Sequence, residues 1–237
     1  MTTRPLGPSE ISLLEQALTK QGRHRDRLFL ILAVSTAYRV SELLTLQFSQ
    51  LTTPDGEVAM DISISRRWLK GGRGGRSRTI KSRRVPLGER ARMAISDYLA
   101  TLRIHPEGAT YVFASRKGAN RPITRCHAHH LLKSIAHEVG LDATRIGCHS
   151  ARKSYAKGIY AASGFDLLKV QKLLGHSSPR TTALYVAPEE AELEQLARNF
   201  DPLAPLPAHP AAMAPGLALI GTSLGTHQNG ARIWSAG

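Results

Sequence analysis

Hydrophobic residues recur at helical spacing along most of residues 8–200. The pattern predicts a helix over 8–21 with Ser9 as its N-cap, and a buried helix over the strongly apolar residues 25–37. The next stretch, YRVSELLTLQFSQL, predicts a shorter helix whose leucines face the core. Further helices are predicted at 88–104, 123–139, 149–163, 165–174 and 179–185, and a last one that starts at Pro188.

Two stretches change to an alternating pattern, which is typical of strands. Residues 58–68, VAMDISISRRW, alternate with a period of two, and KSRRVPL predicts the returning strand after a GGRGG turn. Residues near 50 are a candidate third short strand, and TYVFAS a further extended piece. The predicted fold class is therefore mainly α with a small antiparallel β-sheet or hairpin.

The composition changes at Asp201. Residues 201–237 are rich in Ala, Pro and Gly and almost uncharged, which predicts a flexible C-terminal tail. Residues 1–200 are therefore predicted to form the compact domain, a length that is sufficient for a well-filled core.

The charge of the chain indicates a kind of partner, because its formal net charge is +14. Such a balance favours a polyanion, nucleic acid above all. Between Ile62 and Gly88 every charged residue is Lys or Arg. The predicted hairpin is therefore expected to bind DNA through Arg66, Arg67, Arg73, Arg76, Arg78, Lys81 and Arg83.

Several other classes of protein fit the sequence poorly. No apolar run approaches the length of a membrane span, and the N-terminus lacks the apolar core of a signal peptide. Two cysteines argue against a disulfide framework and suit a reducing compartment. We therefore expect a cytoplasmic protein without a membrane partner.

Basic and aromatic side chains occur where they could converge on one ligand. His149 and Arg152 are three residues apart, so a helix would place them on one face. Arg39 opens another predicted helix, and Tyr185 follows His176 by nine residues. Guanidinium groups match phosphate oxygens and stabilise a pentavalent transition state. A tyrosine, whose ordinary pKa is about 10, can attack phosphorus if a histidine takes its proton.

Two stretches resemble the catalytic boxes of the tyrosine recombinase (phage integrase) family. TAYRVSELLTL resembles the first-arginine box, and HSARKSYAKGIYAASGFDLLKVQKLLGHSSPRTTALYV resembles the second. The second stretch has His-x-x-Arg, Leu-Gly-His and Tyr at the family's spacing. The resemblance covers roughly residues 8–200 and implies the family's catalytic-domain fold. It implies a site-specific DNA recombinase that uses no metal, ATP or other cofactor.

The resemblance assigns roles by position. Arg39 and Arg152 would clamp the scissile phosphate, and Tyr185 would attack it to form a 3′-phosphotyrosine linkage. Strand exchange and religation would follow when a free 5′-hydroxyl attacks that linkage. His149 and His176 would be the active-site histidines, with His149 exchanging a proton with the tyrosine.

The family's catalytic lysine lies in a β-hairpin, which is longer than usual here. Lys70, at the end of the first predicted strand, is our candidate, and Lys81 is its rival. Arg78 has the spacing at which a shorter hairpin carries its lysine. Glu42, three residues after Arg39, is expected to orient that region.

The resemblance also sets expectations about partners. Double-stranded DNA is the expected substrate of a homo-oligomer, either a dimer or a tetramer. Family members usually carry an N-terminal core-binding domain, and none is evident here, so an accessory DNA-binding protein is a further expected partner. In family assemblies a helix after the tyrosine is exchanged between protomers. An apolar stripe suits either this exchange or internal packing, and consists of Leu193, Leu196 and Phe200.

Alternatives stay open at this point. GFDLLKVQKLLGHSSPRTTALYV could be a helix-turn-helix of a non-catalytic DNA-binding protein, with SPRTTALY in the major groove. A type IB topoisomerase would share the chemistry. CHAHH, residues 126–130, suggests a zinc site, but the spacing is not that of a known ligand set. We therefore favour polar residues at the surface or near DNA, and no metal.

Overall fold

The structure is a computed structural model that describes residues 3–65, 82–104, 106–118 and 120–203. Its elements are α1 (Pro8–Lys20), α2 (His24–Ser35), α3 (Val40–Leu43), β1 (Asp61–Ile64), β2 (Arg83–Pro86), α4 (Glu89–Ala100), α5 (Arg125–Glu138), α6 (Cys148–Ala162), α7 (Leu167–Leu174), α8 (Pro179–Val186) and α9 (Glu190–Arg198). The predicted fold class, mainly helical with a small antiparallel sheet, is confirmed. Residues 1–200 form one compact unit, and Asp201 begins a second.

The first helix begins one residue earlier than its predicted cap. Gly7 is the N-cap of α1 and Pro8 its first residue, where a missing backbone N–H costs nothing. The carboxylate of Glu10 accepts from the Gly7 N–H at 2.8 Å, so it satisfies the helix start. The prediction of Ser9 as the cap is wrong, because Ser9 already lies in the first turn.

The last helix begins later than predicted. Glu189 is extended, with φ −76° and ψ 154°, and α9 starts at Glu190. Pro188 therefore lies in the link before the helix, and its prediction as the first helical residue is wrong. A proline disfavours helical geometry in the residue before it, and Ala187 accordingly leaves the helix with a ψ of 136°. Acidic residues in the first turn of α9 suit the positive end of the helix dipole.

The core is built around α2. All residues from Leu28 to Ala33 are buried, so α2 is apolar on every side after its polar first turn. It packs against α1, α4 and α6. The buried helix predicted for residues 25–37 is thereby confirmed, with slightly shorter bounds.

The sheet has two described strands. β1 and β2 pair antiparallel, with Ile62 opposite Val85, and these side chains are buried. Arg84, opposite Ser63, lies on the exposed face. In the described part of the chain no strand forms near residue 50, and the residues Phe48–Gln50 form a 3-10 turn instead. TYVFAS contributes only isolated bridges at Tyr111 and Ala114, since its pairings do not continue into a described ladder.

A second, smaller apolar cluster holds the end of the compact unit together. Ala37, Ala156, Val170 and Leu174 are buried in it, and Tyr185 packs on it. The cluster joins α6, α7 and α8, because these helices contribute most of its members. α7 ends at Gly175, whose φ of +64° is left-handed backbone that favours glycine. None of the described helices is both long and apolar enough for a membrane span.

Candidate active site

Arg39 is held at the start of α3 by the carboxylate of Glu42. Oε2 of Glu42 accepts from the Arg39 backbone N–H at 2.8 Å, and Oε1 accepts from Arg39 Nη1 at 2.8 Å. The Glu42 side chain is 1% exposed and the Arg39 side chain 27%. A buried carboxylate therefore orients a cation that still reaches solvent.

Arg83 joins the sheet to this pair. Its Nη2 donates to Glu42 Oε2 at 3.2 Å, and its Nη1 donates to the backbone carbonyl of Leu174 at 3.0 Å. The guanidinium carbon lies 4.4 Å from the centre of the Tyr38 ring. Burial lowers the pKa of Arg83, an effect that the Glu42 carboxylate opposes. The hydrogen bonds of Arg83 are thus made inside the protein.

Arg152, on α6, is the most deeply buried cation in this region, with 2% of the residue exposed. Its Nη2 donates to the Leu174 carbonyl at 2.7 Å. Its Nε and Nη1 have no hydrogen-bond partner among the described residues. Burial, with the cations Arg39 and Arg83 nearby, lowers the pKa of Arg152 to about 10, so it stays charged at neutral pH. A buried cation with free donors is a strong site for an anion.

His176 follows the left-handed turn at the end of α7 and is buried. Its Nε2 lies 3.1 Å from Arg152 Nη2, and its Nδ1 lies 3.0 Å from Thr182 Oγ1. An arginine can only donate, so Nε2 accepts and Nδ1 carries the proton that it donates to Thr182. Burial and the arginines nearby lower the pKa of His176 to about 4. The imidazole is therefore neutral at physiological pH.

Tyr185, on α8, closes the cluster. Its hydroxyl lies 3.4 Å from His149 Nδ1, and its ring centre lies 5.7 Å from the Arg152 guanidinium. The ring centres of Tyr185 and His176 are 5.1 Å apart. Burial and surrounding cations, Arg152 foremost, lower the pKa of His149. A neutral imidazole next to a phenol can accept the phenolic proton.

The structure brings together the predicted catalytic residues that lie in its described part. Arg39, Glu42, Arg152, His176 and the His149–Tyr185 pair meet between α3, α6, α7 and α8. Such a cluster can bind a phosphate through its arginines, beside a phenol that has a proton acceptor. Apart from Arg83, the remaining predicted residues lie outside the described part of the chain, and they are Arg66, Arg67, Lys70, Arg73, Arg76, Arg78 and Lys81.

Two residues of the site differ from the sequence-based prediction: one has a different contact from the one predicted, and one was not predicted at all. The basic pattern predicted a DNA contact for Arg83, but its guanidinium points inward to Glu42 and Leu174. Thr182 was not singled out, although it orients His176 and is fully buried. A signal was present, since Thr182 precedes Tyr185 by one helical turn and is polar on a helix that is otherwise partly apolar.

The helix that carries CHAHH spreads these side chains over several faces. His129 packs against Gly147, and a Cβ there would meet the imidazole at 2.7 Å. His127 and His130 are exposed on another side of α5. Both Cys126 and Cys148 are free thiols. Within residues 3–65, 82–104, 106–118 and 120–203, no three His, Cys, Asp or Glu side chains are grouped to hold a metal ion.

The sequence of this chain is similar to those of known proteins. Residues 6–192 match the Phage integrase family, and the chain belongs to that family. It is 34% identical over 203 residues to tyrosine recombinase XerD of Bradyrhizobium diazoefficiens, which covers 82% of this chain and 59% of XerD. It is 26% identical to the probable integrase/recombinase YoeC of Bacillus subtilis, covering 76% of this chain and 87% of YoeC.

Solved structures show the same fold. The XerA recombinase superposes with a TM-score of 0.62 at 20% identity, over 84% of this chain and 65% of XerA. The Tn1549 transposon integrase, solved with transposon right end DNA, superposes with a TM-score of 0.60 at 16% identity, over 83% and 67% of the two chains. The chain spans 54% to 59% of the length of three XerD relatives.

Proposed function

We propose that this chain is the catalytic domain of a tyrosine-type, site-specific DNA recombinase. The observation that carries the proposal is the convergence of a tyrosine, a neutral histidine and two arginines in one cluster. Tyr185 lies 3.4 Å from His149 and within 6 Å of Arg152. Membership of the Phage integrase family supports it. The named recombinases among its relatives support it further.

In the proposed reaction, the phosphate of double-stranded DNA binds Arg39 and the free donors of Arg152. The Tyr185 oxygen attacks phosphorus while His149 takes the phenolic proton. A new oxygen–phosphorus bond forms, and the bond from phosphorus to the 5′ oxygen breaks. The product is a 3′-phosphotyrosine linkage and a free 5′-hydroxyl, which is protonated as it leaves. Attack by the 5′-hydroxyl of a partner strand reverses these steps, so the exchange needs neither ATP nor a metal.

The proton for the leaving oxygen requires a donor opposite the tyrosine. Lys70 is our candidate and Lys81 the alternative, as the family's hairpin lysine implies. The other basic residues of the hairpin would bind the DNA backbone, so binding should weaken steeply with salt. Glu42 would hold Arg39 in the orientation that the reaction needs.

Exchange of strands between two duplexes needs more than one protomer, and we propose a homo-oligomer on DNA. The apolar side chains of α9 support a contact with another chain, because Leu193 is 50% exposed and Leu196 is 68% exposed. Solved relatives with the same fold include complexes of XerH with difH and of lambda integrase with a COC′ core site. An accessory DNA-binding protein is a further proposed partner.

The proposal is tested with suicide DNA substrates that carry a nick and come from the gene's own flanks. The unmodified chain should form a covalent adduct that protease digestion releases, and peptide mapping should locate the linkage at Tyr185. Tyr185→Phe should bind DNA with unchanged affinity and form no adduct. Binding without an adduct by the unmodified chain would support the non-catalytic helix-turn-helix alternative. Relaxation of supercoiled DNA by a monomer would support a topoisomerase.

A further inference from the structure

The hydroxyl group of Tyr38 is buried against the sheet. Its oxygen lies 2.7 Å from the backbone carbonyl oxygen of Ile62 and 2.7 Å from that of Arg83. Only 2% of the tyrosine is exposed. Carbonyl oxygens can only accept, so the phenol donates and the two acceptors share its single proton. Burial raises the pKa of Tyr38, so the phenol keeps that proton at physiological pH.

The two acceptors belong to different strands. Ile62 lies on β1, opposite Val85, and Arg83 lies on β2, opposite Ile64. The phenol therefore binds one residue of each strand, and the two residues are not direct partners in the ladder. A slip of the strands by one residue would turn every side chain to the other face of the sheet. Such a slip would also separate the two acceptors, so the phenol opposes it.

The ring of Tyr38 makes a second contact with the same strand residue. The guanidinium carbon of Arg83 lies 4.4 Å from the ring centre. That guanidinium donates in turn to the Glu42 carboxylate and to the Leu174 carbonyl. One tyrosine thus contacts Arg83 at both ends, through its backbone oxygen and through its side chain.

Tyr38 also connects the sheet with the candidate active site along the chain. It lies in the link between α2 and α3, directly before Arg39, whose side chain is bound by Glu42. The stretch of sequence between β1 and β2 carries Lys70 and Lys81, the two candidates for the proton donor. This stretch starts and ends at the two strands, so their placement relative to Arg39 sets the positions of both its ends.

We propose that Tyr38 is a positioning residue that keeps β1 and β2 in a fixed register beside Arg39. The inference rests on the proposed function, because its consequence is the transfer of a proton from a lysine between the strands to the leaving 5′ oxygen. Tyr38 acts through the strands and touches no reacting atom. Without its hydroxyl, phosphate binding by Arg39 and Arg152 should persist, while the proton transfer should become slower.

The test compares Tyr38→Phe with the unmodified chain on two suicide substrates. One has the natural 5′ oxygen at the scissile phosphate, and the other has sulfur in that bridging position. A thiolate leaves without a proton, since the pKa of a thiol is about 8.5 and that of an alcohol is much higher. Tyr38→Phe should lower the single-turnover rate of adduct formation on the oxygen substrate by about tenfold or more. On the sulfur substrate the two chains should differ by less than about twofold.

Tyr98→Phe is the matched control. Tyr98 is another buried tyrosine, on α4, and its ring stacks on Phe48 with the ring centres 6.2 Å apart. This variant should react like the unmodified chain on both substrates. The ratio of the oxygen rate to the sulfur rate does not depend on how much of a sample is folded. A loss of stability alone therefore cannot reproduce the expected result.

Two outcomes on these substrates would overturn the proposal. Equal losses of rate by Tyr38→Phe on both substrates would place the defect in phosphate binding or in the nucleophile. Unchanged rates on both substrates would show that the hydroxyl has no role in the reaction.

Amide hydrogen exchange without DNA separates this inference from the proposed function. Tyr38→Phe should speed exchange in β1 and β2 by about tenfold, as expected for the loss of one buried hydrogen bond, and Tyr98→Phe should not. Unchanged exchange in Tyr38→Phe would overturn the positioning role. If the unmodified chain forms no adduct on either substrate while Tyr38→Phe exchanges faster, the recombinase proposal fails and the contact of Tyr38 with both strands stands.

Discussion

Arg83 and Arg152 donate hydrogen bonds to the same acceptor, the backbone carbonyl oxygen of Leu174. The two donors come from β2 and α6, at 3.0 and 2.7 Å. Leu174 is the last residue of α7, so its carbonyl lies at the negative end of a helix dipole, where cations are stabilised. One oxygen thus fixes a strand and a helix relative to each other, and we expect the position of Arg152 to depend on Arg83.

Replacing Arg83 should therefore impair chemistry more than binding. Arg83→Met removes the bonds to Leu174 and Glu42 while it keeps an apolar stem against Tyr38. We expect the single-turnover rate of adduct formation to fall by about 10- to 100-fold, as small misplacements of catalytic groups do. Duplex affinity should change less than about twofold, since the side chain is 16% exposed.

The neighbouring residue on the strand supplies the control for this prediction. Arg84 is 73% exposed and pairs with Asp61 on the other face of the sheet. Arg84→Met should leave the single-turnover rate unchanged. If Arg83→Met instead weakens binding with a smaller salt slope, and reacts normally at saturation, then Arg83 contacts phosphate and the positioning role is wrong.

The carboxylate of Glu42 should matter for stability. It is buried and bridges Arg39 and Arg83, so Glu42→Gln leaves these two partly buried cations without their counter-charge. We expect the free energy of unfolding to fall by about 2–4 kcal/mol. The melting temperature should fall by several degrees, at about 2–4 °C per kcal/mol for a domain of this size. Glu57→Gln, at an exposed turn, should melt within about 1 °C of the unmodified chain. Equal melting of the two variants would contradict the bridge.

The residues of the candidate active site show what the sequence can and cannot predict. Arg39, His149 and Tyr185 could be found because their spacing along the chain follows helical geometry and a family pattern. The buried helix α2 could be predicted from its continuous apolar run, LFLILAV. The inward turn of Arg83 could not be predicted, because it depends on a carbonyl ninety-one positions away. The sequence alone does not distinguish a basic strand residue that binds inside the protein from one that faces solvent, because only tertiary contacts decide this.

Helix ends were harder to place than helices. The choice between Ser9 and Gly7 as a cap depended on where the Glu10 carboxylate points, which is a three-dimensional fact. The position of Pro188 depended on the backbone of Glu189. Local propensity allows several starts within a few residues, and packing selects one of them.

Thr182 should control the tautomer of His176. Its hydroxyl accepts the Nδ1 proton at 3.0 Å, which leaves Nε2 as an acceptor for Arg152. Thr182→Val keeps the shape but leaves a buried donor without a partner, at a cost of about 1–3 kcal/mol of stability. We expect the single-turnover rate of adduct formation to fall by about tenfold.

A conservative variant separates orientation from packing at this position. Thr182→Ser restores the hydroxyl and should recover most of the reaction rate, although it loses a buried methyl group and some stability. Recovery of stability without recovery of rate would contradict the proposed effect on the tautomer. Quenched single-turnover reactions at saturating protein give the reaction rate, and denaturant unfolding gives the stability.

The buried histidine should make stability depend on pH in a defined window. The pKa of His176 falls from its ordinary 6.5 to about 4 in the folded chain. Between these values the unfolded chain binds a proton that the folded chain does not, so acid favours unfolding. The contribution of His176 is fully present above pH 6.5 and is lost as the pH falls toward 4. Its size is on the order of 3 kcal/mol.

His176→Gln isolates this contribution from the other acid-sensitive groups. The variant has lower stability at pH 7, because its contacts with Arg152 and Thr182 are altered, but it should lose less on acidification. The measurement is the free energy of unfolding in urea at pH 7.0 and pH 4.5, for the unmodified chain and for both variants. His137→Gln, at an exposed position on α5, should keep the full decrease. If His176→Gln loses as much stability between pH 7.0 and pH 4.5 as the unmodified chain, then His176 has the same pKa in the folded and the unfolded chain. The buried, arginine-bound imidazole would then not be the source of the pH dependence.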